Sequence, residues 1–264
     1  MMRAVTIWWG SAVLLAAGPG ALPHAMHVPP ARATVVRAPR DTAARLTRAE
    51  VLARLARATE QAPADFTNAD LSGLDLSGVD FKQANLTGAT LIRTNCAHAQ
   101  MFGVTLSRAV ARGADFSHAT LDVAVMRGTD LTHANLREAS LYATILIGAD
   151  LSDADLTRAR VIAALTDAKL ARAKLVGTNF GADPGNQPMG VMFTNLSDSD
   201  LAGADLSGAN LRKADLSRAN LTGADLAGAD LTDANLAGTI LKSIHGRAKI
   251  IGLDKARNVG QAEF

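Results

Sequence analysis

A period of five residues runs from Ala64 to Leu241 and constrains this chain more than any other feature. The middle residues of the units read Phe66, Leu71, Leu76, Phe81, Leu86, Leu91, Cys96, Met101 and Leu106, and the series continues to Val161 with one weak member, Ala111. Two places before each centre stands Ala, or occasionally Thr, Val, Leu or Ser. The next unit arrives one residue early, with centres at Leu165, Leu170, Leu175 and Phe180. The stretch GADPGNQPMGVMF, residues 181–193, then interrupts, and from Leu196 to Leu241 the count of five resumes.

Five matches neither the 3.6-residue period of an α-helix nor the period of two of a strand. An inward centre, an inward small residue two places earlier and three outward places can repeat only if the chain turns a corner in every unit. Four corners close a square coil of about 20 residues, and coils stack at ~4.8 Å with backbone hydrogen bonds along the axis. Nearly nine coils make a column about 40 Å long. Such a core is narrow and uniform, which suits a chain that is 48% hydrophobic but only 4% aromatic. Each buried Leu or Phe centre contributes roughly 1.5 to 3 kcal/mol. Asp and Asn, which dominate the place before the centre, are the residues whose side chains bond the turn backbone.

The units ADLSG, ANLTG, ADFSH and ANLRE match the consensus A(D/N)LXX, and over residues 64–241 the sequence resembles the pentapeptide-repeat family. The resemblance implies an all-β fold, a right-handed quadrilateral β-helix. It implies little about activity, because a shared scaffold defines the family.

The flanks are different in kind. MMR, then the apolar AVTIWWGSAVLLAA, then GPGALPHA, together match a secretory signal peptide, read as residues 1–25, with candidate cleavage positions after Ala25 and Ala33. An uncleaved membrane anchor is the alternative, although the apolar run is short for a membrane span. A polar linker occupies 26–46. A short capping helix is expected within 47–63, because Thr47 and Glu50 form a capping-box pattern, Val51, Leu52, Leu55 and Ala58 recur at helical spacing, and Pro63 follows. It is placed to cover the open end of the coil. Residues 242–264 are read as a C-terminal cap, closed by Ile250, Ile251 and Leu253, with a brief helix at DKARN.

Function is sought where the five-residue phrase is altered. Residues 20 apart stand above one another, so columns can be read directly. The column Asp75, Asn95, Asp115, Asn135 and Asp155 alternates charge with amide, which holds carboxylates ~10 Å apart, where water screens them. Gly78, His98, His118, Glu138 and Arg158 form another column, whose linear arrangement suits solvated side chains better than a tetrahedral metal site. No metal and no cofactor are expected. The apolar departures are Phe102, Tyr142 and Ile162 in one outward column, with Val125, Ile145 and Ile147 on the adjacent face. Phe102, Tyr142, Ile145, Ile147 and Ile162 are the candidate partner surface, covered either by the interrupting segment, through Met189, Val191, Met192 and Phe193, or by a protein partner or second copy.

There is no phosphate-binding glycine loop, no HExxH and no Gly-x-Ser-x-Gly elbow, and a regular solenoid offers no deep cleft, so no enzyme is expected. Residues 1–63 carry eight Arg against three acids and the remainder 19 bases against 22 acids, so no basic domain suggests nucleic acid. The expectation is a non-catalytic periplasmic or secreted interaction module, binding an unknown protein or itself and free of the membrane once the signal is removed. The alternative is a cytoplasmic DNA mimic that binds topoisomerase, as some members of the resembled family do. Against it, Arg108, Arg112, Arg127, Arg137, Lys169, Arg172, Lys174, Arg212 and Lys213 interleave with the acids. Cys96, the single cysteine, excludes an internal disulfide and is expected to be buried.

Overall fold

The computed structural model describes residues 45–182 and 192–264. The expected signal peptide, all of the linker except its last two residues, and residues 183–191 of the interrupting segment, including Met189 and Val191, lie outside the described residues.

From Asp65 onward the chain winds as a four-sided coil. Asp65 pairs in parallel with Asn85, Asp70 with Thr90, Asp75 with Asn95 and Asp80 with Gln100, one pairing per face, each with a partner 20 residues on. Every rung is one residue wide, because a unit of five that also turns a corner leaves only a short extended piece. The all-β character therefore appears as four ladders of single parallel bridges rather than as longer strands.

The hydrogen bonds explain the five-residue phrase donor by donor. The centre Leu71 donates its N–H to the Thr90 carbonyl in the next coil (2.8 Å), and Gly73 donates to Ile92 (2.9 Å). Leu74 donates back to Leu71 (3.2 Å) and closes the turn, while Thr90, standing before its own centre, donates to Ala69 in the coil beneath (2.9 Å). The remaining donor, Ser72 N–H, goes to the Asp70 carboxylate (2.9 Å). Without Asp or Asn before the centre, one backbone N–H in five loses the acceptor in its own turn. The third residue of each turn has positive φ, 64° at Gly73 and 58° at His98, as a type II turn requires.

The centres fill the axis, and Leu, Phe and Met there are fully buried. Where Thr replaces the inward Ala, its hydroxyl stays paired: Thr94 donates to the Leu71 carbonyl (2.9 Å), Thr129 to Leu106 (2.8 Å) and Thr239 to Leu216 (2.8 Å). Among the described residues, no buried side-chain nitrogen or oxygen lacks a partner. Cys96 is one of these buried centres, and burial pushes its thiol up to about 12.

Two edits interrupt the count of 20. Ile145 pairs with Ala164, 19 residues on, because the unit 161–164 lacks one residue; Ala164 then pairs with Asn195, 31 residues on, across the interrupting segment. Asn195 pairs with Asp215, and the step of 20 returns. Both edits fall at the same corner in consecutive coils, so all four ladders stay in register.

The coil is closed below by α1, Arg48–Arg57, with the expected capping box: Glu50 N–H bonds the Thr47 hydroxyl and the Glu50 carboxylate accepts from Thr47 N–H. Val51 and Leu55 are buried on the first coil. Three carbonyls of that coil find donors here: Asp70 from Leu46 N–H (2.9 Å), Asp75 from Arg48 Nε (2.9 Å) and Asp65 from Arg54 (3.4 Å). At the other end the pairings Asp230 with Ile251, Asn235 with Arg257 and Ile240 with Glu263 show a last turn of the coil with a period of six. Its corners are short 3-10 helices at Arg247–Lys249, Leu253–Lys255 and Val259–Gln261; the second overlaps the DKARN stretch only at Asp254 and Lys255, because the chain is extended again at Ala256. Ile250 and Leu253 pack against the core as expected. Ile251 does not: it is 53% exposed, because it takes the outward bridging place of its six-residue unit.

Candidate interaction surface

The face built on Phe81, Met101, Leu121, Leu141 and Val161 meets the face built on Phe66, Leu86, Leu106, Met126 and Leu146 at one corner. Lys82, Phe102, Asp122, Tyr142 and Ile162 occupy the first turn position of that corner, coil above coil. Phe102 is 52% exposed. Tyr142 is half-buried, with the Arg160 guanidinium 4.3 Å from its ring centroid, a cation–π distance. Ile145 lies half-buried on the Phe66 face beside Val125, and Ile147, also half-buried, stands at the next corner.

Ile162 departs from the expectation. It is 2% exposed and offers nothing to a partner. The four-residue unit 161–164 has no room for the usual turn, so Ile162 and Ala163 draw inward where a regular corner points out. Ile162 lines a shallow hollow of about 240 Å³ with Ile145, Met192 and Phe193, so the end of the interrupting segment adjoins part of the patch. Phe193 itself is 50% exposed.

Val123 was missed by the sequence reading. It is 45% exposed and has φ of 61° at the third turn position, a conformation that β-branched residues avoid. The readable signal was a β-branched Val at a place that in the other regular units carries Gly, a polar residue or, at Ala143, a single methyl. A second hollow, about 390 Å³, brings Phe102 together with Asp80, Lys82, Gln83, Gln100 and Glu60 beside the end of α1.

The histidine column is a ladder. His98 and His118 stack with centroids 4.7 Å apart and planes 3° from parallel, His118 Nδ1 lies 3.6 Å from Glu138, and Arg158 lies 4.0 Å from Glu138. The spacing is the coil pitch, imposed by corner residues that share one backbone conformation. Among the described residues, no group of three or more His, Cys, Asp or Glu side chains is placed to hold a metal ion.

Charges pair across coils. Arg172 grips Asp153 and Arg218 grips Asp198 through two nitrogens each, Arg137 reaches Asp155 at 3.2 Å, and Arg212 reaches Asp230 at 3.2 Å. The arginine hydrogen bonds hold the Asp153 and Asp198 carboxyls below their usual range. In the alternating column the amides bridge the acids: Asn95 donates to Asp75 (3.0 Å) and Asn135 to Asp115 (3.0 Å).

A narrow four-sided coil of stacked five-residue units defines a class of solenoid. Pentapeptide repeats are recognised in the sequence at 64–95, 99–137, 124–161, 194–233 and 214–243, and the chain belongs to the pentapeptide-repeat family. Among solved structures it is similar to HetL, a pentapeptide repeat protein involved in heterocyst differentiation regulation in the cyanobacterium Nostoc sp. strain PCC 7120. The match has 28% identity and a TM-score of 0.55, covering 83% of this chain and 94% of that one. It is also similar in fold to a trypsin-treated form of QnrB1, a plasmid-mediated fluoroquinolone resistance protein, with 20% identity and a TM-score of 0.53, covering 67% of this chain and 88% of that one. These neighbours are right-handed β-helices. Among curated proteins, none matches the sequence.

Proposed function

We propose that this protein is a non-catalytic scaffold that works outside the cytoplasm and presents the corner around Phe102, Val123 and Tyr142, with Ile145 and Ile147, to a protein partner. The carrying observation is where the phrase fails. The place before the centre holds Gln100, Thr120, Ser140 and Arg160 on one face and Thr105, Val125, Ile145 and Ala164 on the next, while the column at Asn95, Asp115, Asn135 and Asp155 stays regular. Exposed or half-buried apolar side chains gather in that same region, which supports reading it as an interaction surface. Export rests on the signal-like N-terminal sequence. No helix among the described residues is long and apolar enough to cross a membrane.

The reading is tested by fractionating cells, sequencing the mature N-terminus, and recovering partners from a periplasmic extract. A folded Tyr142→Asp, Ile145→Asp double variant is expected to lose a partner that the wild type retains. Recovery of every wild-type partner by that variant removes the patch from the account.

A second reading, anionic mimicry of a nucleic-acid duplex, draws on the 20 acids against 14 bases between residues 64 and 241 and on the fold shared with QnrB1. The cross-coil arginine pairs weaken it, because they neutralise the acids where a duplex mimic needs continuous negative charge. Protection of a topoisomerase from a quinolone in a supercoiling assay would favour this reading over the first.

A further inference from the structure

We propose that the Phe66 face between Thr105 and Ala164 binds an extended, acidic segment of a partner protein, whose oxygens take the backbone donors that Asp and Asn take elsewhere in the coil. The inference rests on the reading of this region as a partner surface and names the partner's chemistry.

On that face Thr105, Val125, Ile145 and Ala164 stand before the centre in four consecutive coils. None has a side-chain oxygen placed as in Asp or Asn. In regular units the first turn residue donates to that oxygen, as Thr87 does to Asn85 (3.1 Å) in the coil below and Ser197 to Asn195 (2.9 Å) in the coil above. Between them the N–H groups of Ser107, Arg127, Ile147 and Thr166 have no acceptor among the described residues. They form a row of four unclaimed donors, one per coil, ~4.8 Å apart.

The side chains beside the row are selective. Arg108 and Arg127 are exposed neighbours in adjacent coils, with Arg108 N–H bonded to the Arg127 carbonyl (2.9 Å). Neither guanidinium has a carboxylate partner among the described residues, whereas Arg112, Arg137, Arg172, Arg212 and Arg218 all do. Val125, Ile145 and Ile147 supply the apolar surface. Unclaimed donors, unpaired arginines and a half-buried apolar strip are together complementary to a chain that alternates carboxylate and apolar side chains. A basic or purely apolar segment can offer the donors only its backbone carbonyls and leaves the arginines unmet.

The probe is a fluorescein-labelled ten-residue peptide of alternating Glu and Val, titrated with the full chain by anisotropy, with alternating Lys and Val as control. The acidic peptide should bind at least tenfold tighter. Arg108→Glu with Arg127→Glu should remove that preference, while the same exchange at the ion-paired Arg137 and Arg172 on other corners should preserve it. The sharper variant is Val125→Asn with Ile145→Asn, which supplies the missing oxygens internally. It should weaken acidic-peptide binding at least tenfold without lowering the melting temperature. Equal binding of the two peptides, or full binding by the double Asn variant, overturns the proposal. So does light scattering that shows a dimer dissolved by the Asn substitutions, because the occupant is then a second copy. Loss of a natural partner through Tyr142→Asp, Ile145→Asp without any acidic preference defeats this inference alone; retention of every partner by that variant defeats the reading beneath it.

Discussion

Asp115 tests why the coil repeats Asp and Asn. Its Oδ1 accepts from Ser117 N–H at 2.8 Å and from Asn135 Nδ2 at 3.0 Å, so one atom ties its own turn and the coil above. Asp115→Ala removes that shared acceptor and both bonds while the inward neighbours Ala114 and Phe116 keep their places. Hydrogen bonds to a charged acceptor contribute about 1.5 to 3 kcal/mol, but solvent reaches this column, so about 1 kcal/mol for each is the reasonable share. The expected loss is about 2 kcal/mol. Asp115→Asn keeps an oxygen at the same position and should lose less than about 0.5 kcal/mol, by the smaller contribution of a neutral acceptor. Urea unfolding followed by circular dichroism measures both, with unchanged m-values as the condition for comparison. If Asn is as costly as Ala, or Ala costs nothing measurable, the donor accounting is wrong and Asp serves this place for some other reason.

Val123→Gly should raise stability by about 1 kcal/mol, because it relieves a β-branched residue at φ of 61°; thermal unfolding decides, and a loss shows that packing outweighs backbone strain. Cys96 should resist a thiol reagent in the native protein at pH 8 and react fully in denaturant, since its folded thiol sits at about 12; rapid native labelling would show that the coil opens there. Acid should destabilise the coil. The Asp65, Asp70 and Asp75 carboxyls are held below their usual range by hydrogen bonds from Thr67, Ser72 and Ser77, and the Asp198 carboxyl by Arg218. Folded values below unfolded ones mean that this contribution is intact above about pH 4 and is lost as pH falls further. A melting temperature that is flat from pH 6 to pH 2.5 would contradict this.

The architecture was legible because it rests on local rules repeated many times. Leu or Phe at every fifth place, Ala two before and Asp or Asn one before prescribe the turn, the inward direction and the next rung, and even the missing residue before Leu165 could be counted. The capping box at Thr47 and Glu50 was readable for the same reason. The sequence misled where that rule was suspended. Ile162 was assigned outward by its place in a column, but a unit of four has no corner to carry it out. Ile251 was read as a plug because it is apolar, whereas the six-residue period of the last turn of the coil turns it to solvent. The row of unclaimed donors at Ser107, Arg127, Ile147 and Thr166 was hidden for a different reason: it arises from an oxygen absent at the preceding residue, and becomes visible only when every N–H of the coil is assigned.

The shortened corner at 161–164 and the interruption of the repeat after Phe180 follow one another on a single edge, yet Asn179 still meets Asn210 and Asn195 still meets Asp215. Length at this edge is thus decoupled from alignment everywhere else, much as a margin can be widened without resetting the lines of a page. The edge is a natural seam, and foreign sequence spliced between Phe180 and Thr194 should leave the remaining three sides unaware of it.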